Sequence, residues 1–215
     1  MIPPRYLKIL LLALLFTLGL GMELSGILDL RQMLSLAREY SQHWWLAVLL
    51  ILLPALLFSF ALAGSLFLWI VAPIYPPATA ALILAAGGTL GGVGAYLLSG
   101  YLTLELRQKI ESSHSYRVLQ AQENFFTLFA MRVFPAFPHS VVNYSAGLLR
   151  ARLDHFVVAA VFGIGIKSYI YARVIYSASS QVSLELLFDI GVIGPLLALS
   201  CGSVLVMYLM RRYAG

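Results

Sequence analysis

Residues 124–150 read NFFTLFAMRVFPAFPHSVVNYSAGLLR, an apolar stretch long enough to enter a bilayer that carries Arg132, Pro135, Pro138 and Asn143 in its middle. A charge near the bilayer centre costs about 2.5–3.5 kcal/mol on insertion scales. Each proline removes an amide donor and crowds the preceding turn. Lipid supplies no replacement hydrogen bonds, so broken backbone persists at that depth only inside protein or beside water. A plain lipid-facing span fits poorly. The stretch reads as a re-entrant segment lining a polar cavity, the kind of segment that builds substrate sites in transporters.

The rest of the chain agrees with a membrane setting. Of its residues, 61% are hydrophobic and 11% charged, against about 25% charged in soluble domains. Too few polar groups remain to cover a water-facing surface. The net charge of +5 does not point to nucleic acid, because the basic residues sit at the ends of apolar runs, where membrane topology puts them. Cys201 is the only cysteine, which excludes an internal disulfide and the Cys-rich metal signatures. His43, His114, His139 and His155 show no metal-ligand spacing. Neither a metal nor a cofactor is expected. His114 and His155 suit the membrane interface, whereas His139 falls inside the broken segment.

Along the chain, residues 1–44 read as a first transmembrane helix (6–22, uncleaved) followed by an amphipathic interfacial helix anchored by Trp44 and Trp45. A core follows over 45–178. It comprises a first hairpin at 46–77, interrupted by Pro54, Gly64, Pro73, Pro76 and Pro77, then a glycine-rich span at 78–103. A polar connector at 104–123 carries Arg107, Lys109 and Arg117. The second hairpin is 124–150 and the next span 154–177. Residues 186–215 hold a last span and a basic tail, Arg211-Arg212. The distribution of Lys and Arg favours four full spans plus two hairpins entering from opposite faces, with both termini cytoplasmic. Full crossing by either hairpin would move the later basic residues to the wrong side. The halves echo each other weakly: Pro54 precedes Gly64 and a glycine-rich span, as Pro138 precedes Gly147 and a span with Gly163 and Gly165. Inverted repeats in transporters leave such traces. The expected fold is an all-α polytopic membrane protein with opposed re-entrant hairpins.

Arg132 is the residue with the most chemical consequence. One reading is a structural charge neutralised by hairpin carbonyls or snorkelling to the surface; the other is contact with an anionic substrate group. Lys167, about 20 Å along its helix from Asp154 at 1.5 Å per residue, faces the same choice. No Asp or Glu occurs between Glu39 and Glu105, or between Glu123 and Asp154. The membrane-depth cations therefore lack carboxylate partners in sequence, and an anionic ligand such as a lipid phosphate would relieve the cost. The same gap argues against a carboxylate proton relay in either hairpin. Gly87, Gly88, Gly91 and Gly92 form overlapping small-xxx-small pairs suited to close helix packing. Enzymatic motifs such as HExxH and GxSxG are absent, so no catalytic residue is expected.

The run Arg132-x-x-Pro135-x-x-Pro138-x4-Asn143-Tyr144-x-x-Gly147-Leu148, followed by Phe156 and Gly163, resembles the VTT-domain branch of the DedA superfamily, the SNARE-associated Golgi protein family. The run from Pro54 through Gly64 and Gly91 to Tyr96 is similar to its first half. The resemblance covers residues 45–178. It implies two opposed hairpins, an inverted repeat, and movement of phospholipid or a lipid carrier between leaflets. Candidate substrate-binding residues are Arg132, Pro135, Pro138, Asn143 and Lys167; Pro54, Gly64, Gly91, Gly147 and Gly163 are candidate structural positions. The proline that this branch often carries three residues after the glycine at 163 is Ile166 here. The acid that DedA relatives carry in the first hairpin has no counterpart in 51–77, which favours passive scrambling over ion coupling. Expected partners are membrane lipids with anionic head groups or phosphates, with a homo-oligomer open and nucleic acid excluded. The expected location is a bacterial inner membrane. The alternative is a non-transporting membrane protein that supports envelope integrity or organises partner proteins.

Overall fold

The computed structural model describes residues 30–62, 66–134 and 137–180, together with a few helical positions between 194 and 205. Everything described that is regular is helical. The first expected span, 6–22, and most of the last, 186–210, lie outside the described residues.

Two compact units divide at residue 42. Of the first, the described part is α1 (Leu30–Tyr40), an amphipathic helix with exposed Met33, Leu36 and Tyr40. The second unit holds α2 (Trp44–Ser59), α3 (Leu66–Ile74), α4 (Pro77–Leu98), α5 (Leu104–Glu111), α6 (His114–Ala121), α7 (Phe125–Val133), α8 (His139–Leu148) and α9 (Leu153–Ser180). A 3₁₀ turn, Ser99–Tyr101, extends α4. Two helices are long and apolar enough to cross a membrane, Pro77–Tyr101 and Leu153–Ser179; a third candidate arises if Gln32–Tyr40 and Trp44–Ser59 count as one broken span.

The two long helices turn bulky apolar side chains outward. On α4 the buried face is built of Ala80, Ala85, Gly87, Gly88, Gly91, Gly92 and Ala95, while Leu82, Leu90 and Leu97 project outward. The α9 helix likewise exposes Val158, Val161, Phe162, Ile166 and Tyr169. Small residues inside let backbones approach closely, and branched apolar side chains outside suit lipid. The overlapping glycine pairs serve two different neighbours. A Cβ on Gly87 would lie 2.9 Å from the Ile51 carbonyl oxygen, and one on Gly91 would lie 2.6 Å from that of Ala55, so this pair seats α2. Gly88 and Gly92 instead face Ile164 of α9 and Asn143 of α8.

In the first broken segment, two of the prolines do not interrupt a helix. Pro54 and Pro73 both lie inside helices. Pro54 is buried, and a Cβ at Gly87 would meet its Cγ at 3.1 Å. A proline forfeits one intrahelical hydrogen bond, and here the tight seat on α4 offsets that loss. The break comes later, at 60–62. Ala61 adopts φ 58°; its amide donates to the Phe58 carbonyl at 3.2 Å, and that of Leu62 to the Leu57 carbonyl at 2.9 Å. That pair of bonds is a Schellman cap with alanine in the usual glycine position. Gly64 lies outside the described residues. The connector also forms α5 and α6, where the sequence reading assigned only a polar link. The Ser113 hydroxyl caps α6 by accepting from the Tyr116 amide at 3.2 Å.

The helices interlock across the halves. In the first half α2 packs on its own span α4, and α3 crosses to pack on α9. In the second, α7 packs on its own span α9, and α8 crosses to pack on α4. The Tyr144 hydroxyl on α8 donates to the Ser59 carbonyl at the end of α2, 2.7 Å away, tying the two broken segments together.

A buried cationic cavity as candidate functional site

All six of these packed helices line one cavity of about 180 Å³. Its polar side chains come from the second half: Arg132 on α7, His139 and Asn143 on α8, and Lys167, Ser168 and Tyr171 on α9. Helical spacing explains the convergence. His139 and Asn143 lie one turn apart on α8. Ile164, Lys167, Ser168 and Tyr171 share a face of α9 by the same rule.

Arg132 is only 1% exposed. It occupies the last turn of α7, where a cation complements the helix dipole. A Cβ on Gly163 would collide with the Arg132 Cβ, so the bare glycine lets α7 lie against α9 and carries the arginine inward. Its guanidinium stands over the Phe156 ring, 4.7 Å from the centroid. A cation over an aromatic face gains about 0.5–2 kcal/mol, yet its hydrogen-bond donors stay unspent: none of Nε, Nη1 and Nη2 has a partner among the described residues.

Asn143 is as deeply buried as Arg132, and its Oδ1 is unpartnered among the described residues. Its side chain lies over Gly92, where a Cβ would approach Oδ1 to 3.2 Å. Lys167 Nζ contacts His139 Nε2. If the ammonium donates there, the His139 proton resides on Nδ1, itself without a partner among the described residues. The remaining Lys167 hydrogens, the His139 Nδ1–H and the guanidinium then give the cavity a surplus of donors.

The charges outside the cavity are satisfied differently. Arg107 pairs with Glu111 and Arg152 with Asp154, each at 2.8 Å and largely exposed. Neither pair reaches Arg132 or Lys167.

Of the predicted binding residues, the structure brings Arg132, Asn143 and Lys167 together. Pro138 is exposed at the N-cap of α8 and does not line the cavity. It fixes where the helix starts, and His139 follows it directly. Pro135 lies outside the described residues. Gly91 and Gly163 lie at helix contacts, and Gly147 packs against the Tyr96 carbonyl and Ser99. Sequence reasoning noticed His139 without a role, and missed Ser168 and Tyr171. The shared α9 face was the available signal.

The VTT domain profile matches residues 53–177, more than half of the chain. The chain belongs to the VTT-domain family. This family match and the apolar helices make it a membrane protein. The match takes in every cavity-lining residue. No solved structure matches the chain.

Proposed function

We propose that this VTT-domain protein moves phospholipid or a lipid carrier between the leaflets of its membrane, acting as a transporter or scramblase and not as an enzyme. One observation carries the reading: Arg132 is buried in a central cavity beside Lys167, its guanidinium donors lack partners among the described residues, and no carboxylate lines that cavity. An unpaired buried charge is costly, and an anionic phosphate entering the cavity would relieve the cost. The planar fork of an arginine suits phosphate oxygens. Asn143 would complete the contact, and Lys167 would add a second charge.

The exchange of helices between halves supports two opposed hairpins related as an inverted repeat. Such an arrangement supplies access from either leaflet. The cations of the connector, Arg107, Lys109 and Arg117, favour a cytoplasmic face for it. Between Ala47 and Ala95 the sequence holds no acid, so the reading is passive movement with no carboxylate coupling in the first hairpin.

Reconstitution of the full chain in vesicles with fluorescent phospholipids of several head groups tests this. Wild-type protein should move lipid. Arg132→Ala should abolish movement while the protein stays folded, as followed by thermal unfolding. Arg132→Lys should restore part of it. Charge-assisted hydrogen bonds contribute about 1.5–3 kcal/mol, so head-group binding should fall roughly ten- to a hundredfold. Full movement by Arg132→Ala sinks the assignment. No movement by the wild-type chain would favour a non-transporting role in organising the membrane or its proteins.

A further inference from the structure

The cavity has two unlike walls, and the division follows the two halves of the fold. The second half supplies every polar side chain, Arg132, His139, Asn143 and Lys167 foremost, and one aliphatic one, Ile164. The first half supplies Phe58, Leu68, Leu84 and Gly88, with no polar side chain among them. A site for a free inorganic anion gains nothing from such a wall. Apolar surface in contact with water is itself unfavourable, at roughly 25 cal/mol per Å². A wall of this kind facing a cluster of donors suits a ligand that is charged at one end and alkyl at the other.

We infer that the halves divide the recognition of one amphiphile: the second half holds the phosphate, and Leu68, Leu84 and Phe58 of the first half hold the first carbons of its alkyl or acyl chain. The inference rests on the anion site proposed above and adds specificity residues to it. Geometry sets the limit of the contact. A dry cavity of about 150 Å³ accommodates benzene, so about 180 Å³ takes a phosphate and a few carbons. The rest of the chain leaves the cavity. Gly88 makes the room on the apolar side, since a Cβ there would come within 3.1 Å of the Ile164 Cδ1. Leu68 is followed in sequence by Trp69 and Ile70, both outward-facing. The apolar wall thus runs toward surface that lipid can cover.

Two probes separate head from chain: sn-glycerol 3-phosphate, which has only the head, and dihexanoyl phosphatidic acid, which carries six-carbon chains and stays soluble. Binding of each to the full chain in nanodiscs is measured by calorimetry. The wild-type protein should bind the chain-bearing probe about tenfold more tightly, the size expected from burying two or so methylenes. Leu84→Gln keeps the side-chain length and adds a polar end. It should remove most of that advantage while leaving glycerol 3-phosphate binding within about twofold. Leu84→Met should preserve both. Leu68→Gln provides an independent test if Leu84→Gln fails to fold, and thermal unfolding reports folding in each. Arg132→Gln should weaken both probes alike. An advantage that survives both glutamine substitutions overturns the division, because the chain then lies elsewhere. Equal weakening of both probes by both substitutions overturns it too, because the wall then belongs to the head site. If the wild-type chain binds neither probe, the anion site itself is wrong and this inference falls with it.

Discussion

In the first half a 16-residue helix and a shorter one lead into a glycine-rich span; in the second, two short helices lead into a longer span. Each half packs its first short element on its own span and lends its second to the other's. The chemistry differs while the packing corresponds. Around the cavity the first half offers carbon, and the second offers every cation. Two halves can therefore share a helix exchange while differing in what they hold. Backbone approach depends on where small residues fall, and that is separable from which polar side chains project between them.

Glycine substitution tests the comparison with the largest effect. Gly91→Ala would put a Cβ 2.6 Å from the Ala55 carbonyl oxygen in the first half, and Gly163→Ala would drive one into the Arg132 Cβ in the second. Backbone and Cβ atoms cannot swing aside, so each should cost about 1–3 kcal/mol, the usual range for overpacking. Thermal unfolding in detergent measures both. The halves should then separate by a second readout. Gly163→Ala moves the arginine and should weaken glycerol 3-phosphate binding in the protein that remains folded; Gly91→Ala should leave it alone. Equal loss of binding in both would mean that the site does not belong to the second half.

Physical reasons separate what the sequence disclosed from what it hid. The spans α4 and α9 were legible because long apolar runs without breakers have few alternatives. Arg132 was legible because a charge inside such a run is expensive wherever it goes. The turn at Ala61 was hidden because proline is the usual punctuation, and Pro54 lies inside a helix instead. An alanine in the left-handed region leaves no signal in sequence. Helices α5 and α6 were read as a polar link because each has only eight residues and the apolar pattern over them is short. The meeting of Lys167 with His139 is a tertiary event between α9 and α8. Periodicity along either helix indicates which side chains share a face, but not what that face meets.

A smaller effect is expected where the halves are tied. The Tyr144 hydroxyl gives its hydrogen to the Ser59 carbonyl. Tyr144→Phe removes that bond and little else, leaving one carbonyl short of a partner. The expected loss is about 1 kcal/mol, in the range for a single hydrogen bond, read as a lower thermal midpoint. If the midpoint does not move, the correspondence between the broken segments rests on apolar packing alone. Gly88→Ala should cost less than Gly91→Ala. Its added Cβ meets the Ile164 Cδ1 at 3.1 Å, and a terminal methyl can rotate away. A loss at Gly88 as large as at Gly91 would show that the glycine face toward the second half is as tightly seated as the one toward α2.

The smallest effect should be a gain, and it probes the helix ends. Ala61 and Arg150 are the non-glycine residues with positive φ among those described, at 58° and 54°. Each occupies the same place in a Schellman cap. For Arg150 the amide donates to the Gly147 carbonyl at 3.1 Å, and that of Ala151 to the Ala146 carbonyl at 2.9 Å. A Cβ in this region costs about 1–2 kcal/mol. Replacement by glycine removes that strain but frees the unfolded chain, at a cost of about 0.4–1 kcal/mol. The balance favours Ala61→Gly by several tenths of a kcal/mol, seen as a slightly higher thermal midpoint. Arg150→Gly should gain the same if its exposed side chain contributes nothing to folding. A gain at Ala61 with a loss at Arg150 would mean that the arginine side chain stabilises the second half beyond its cap. Equal gains would leave the two ends alike, and the difference between the halves would then lie in the cavity.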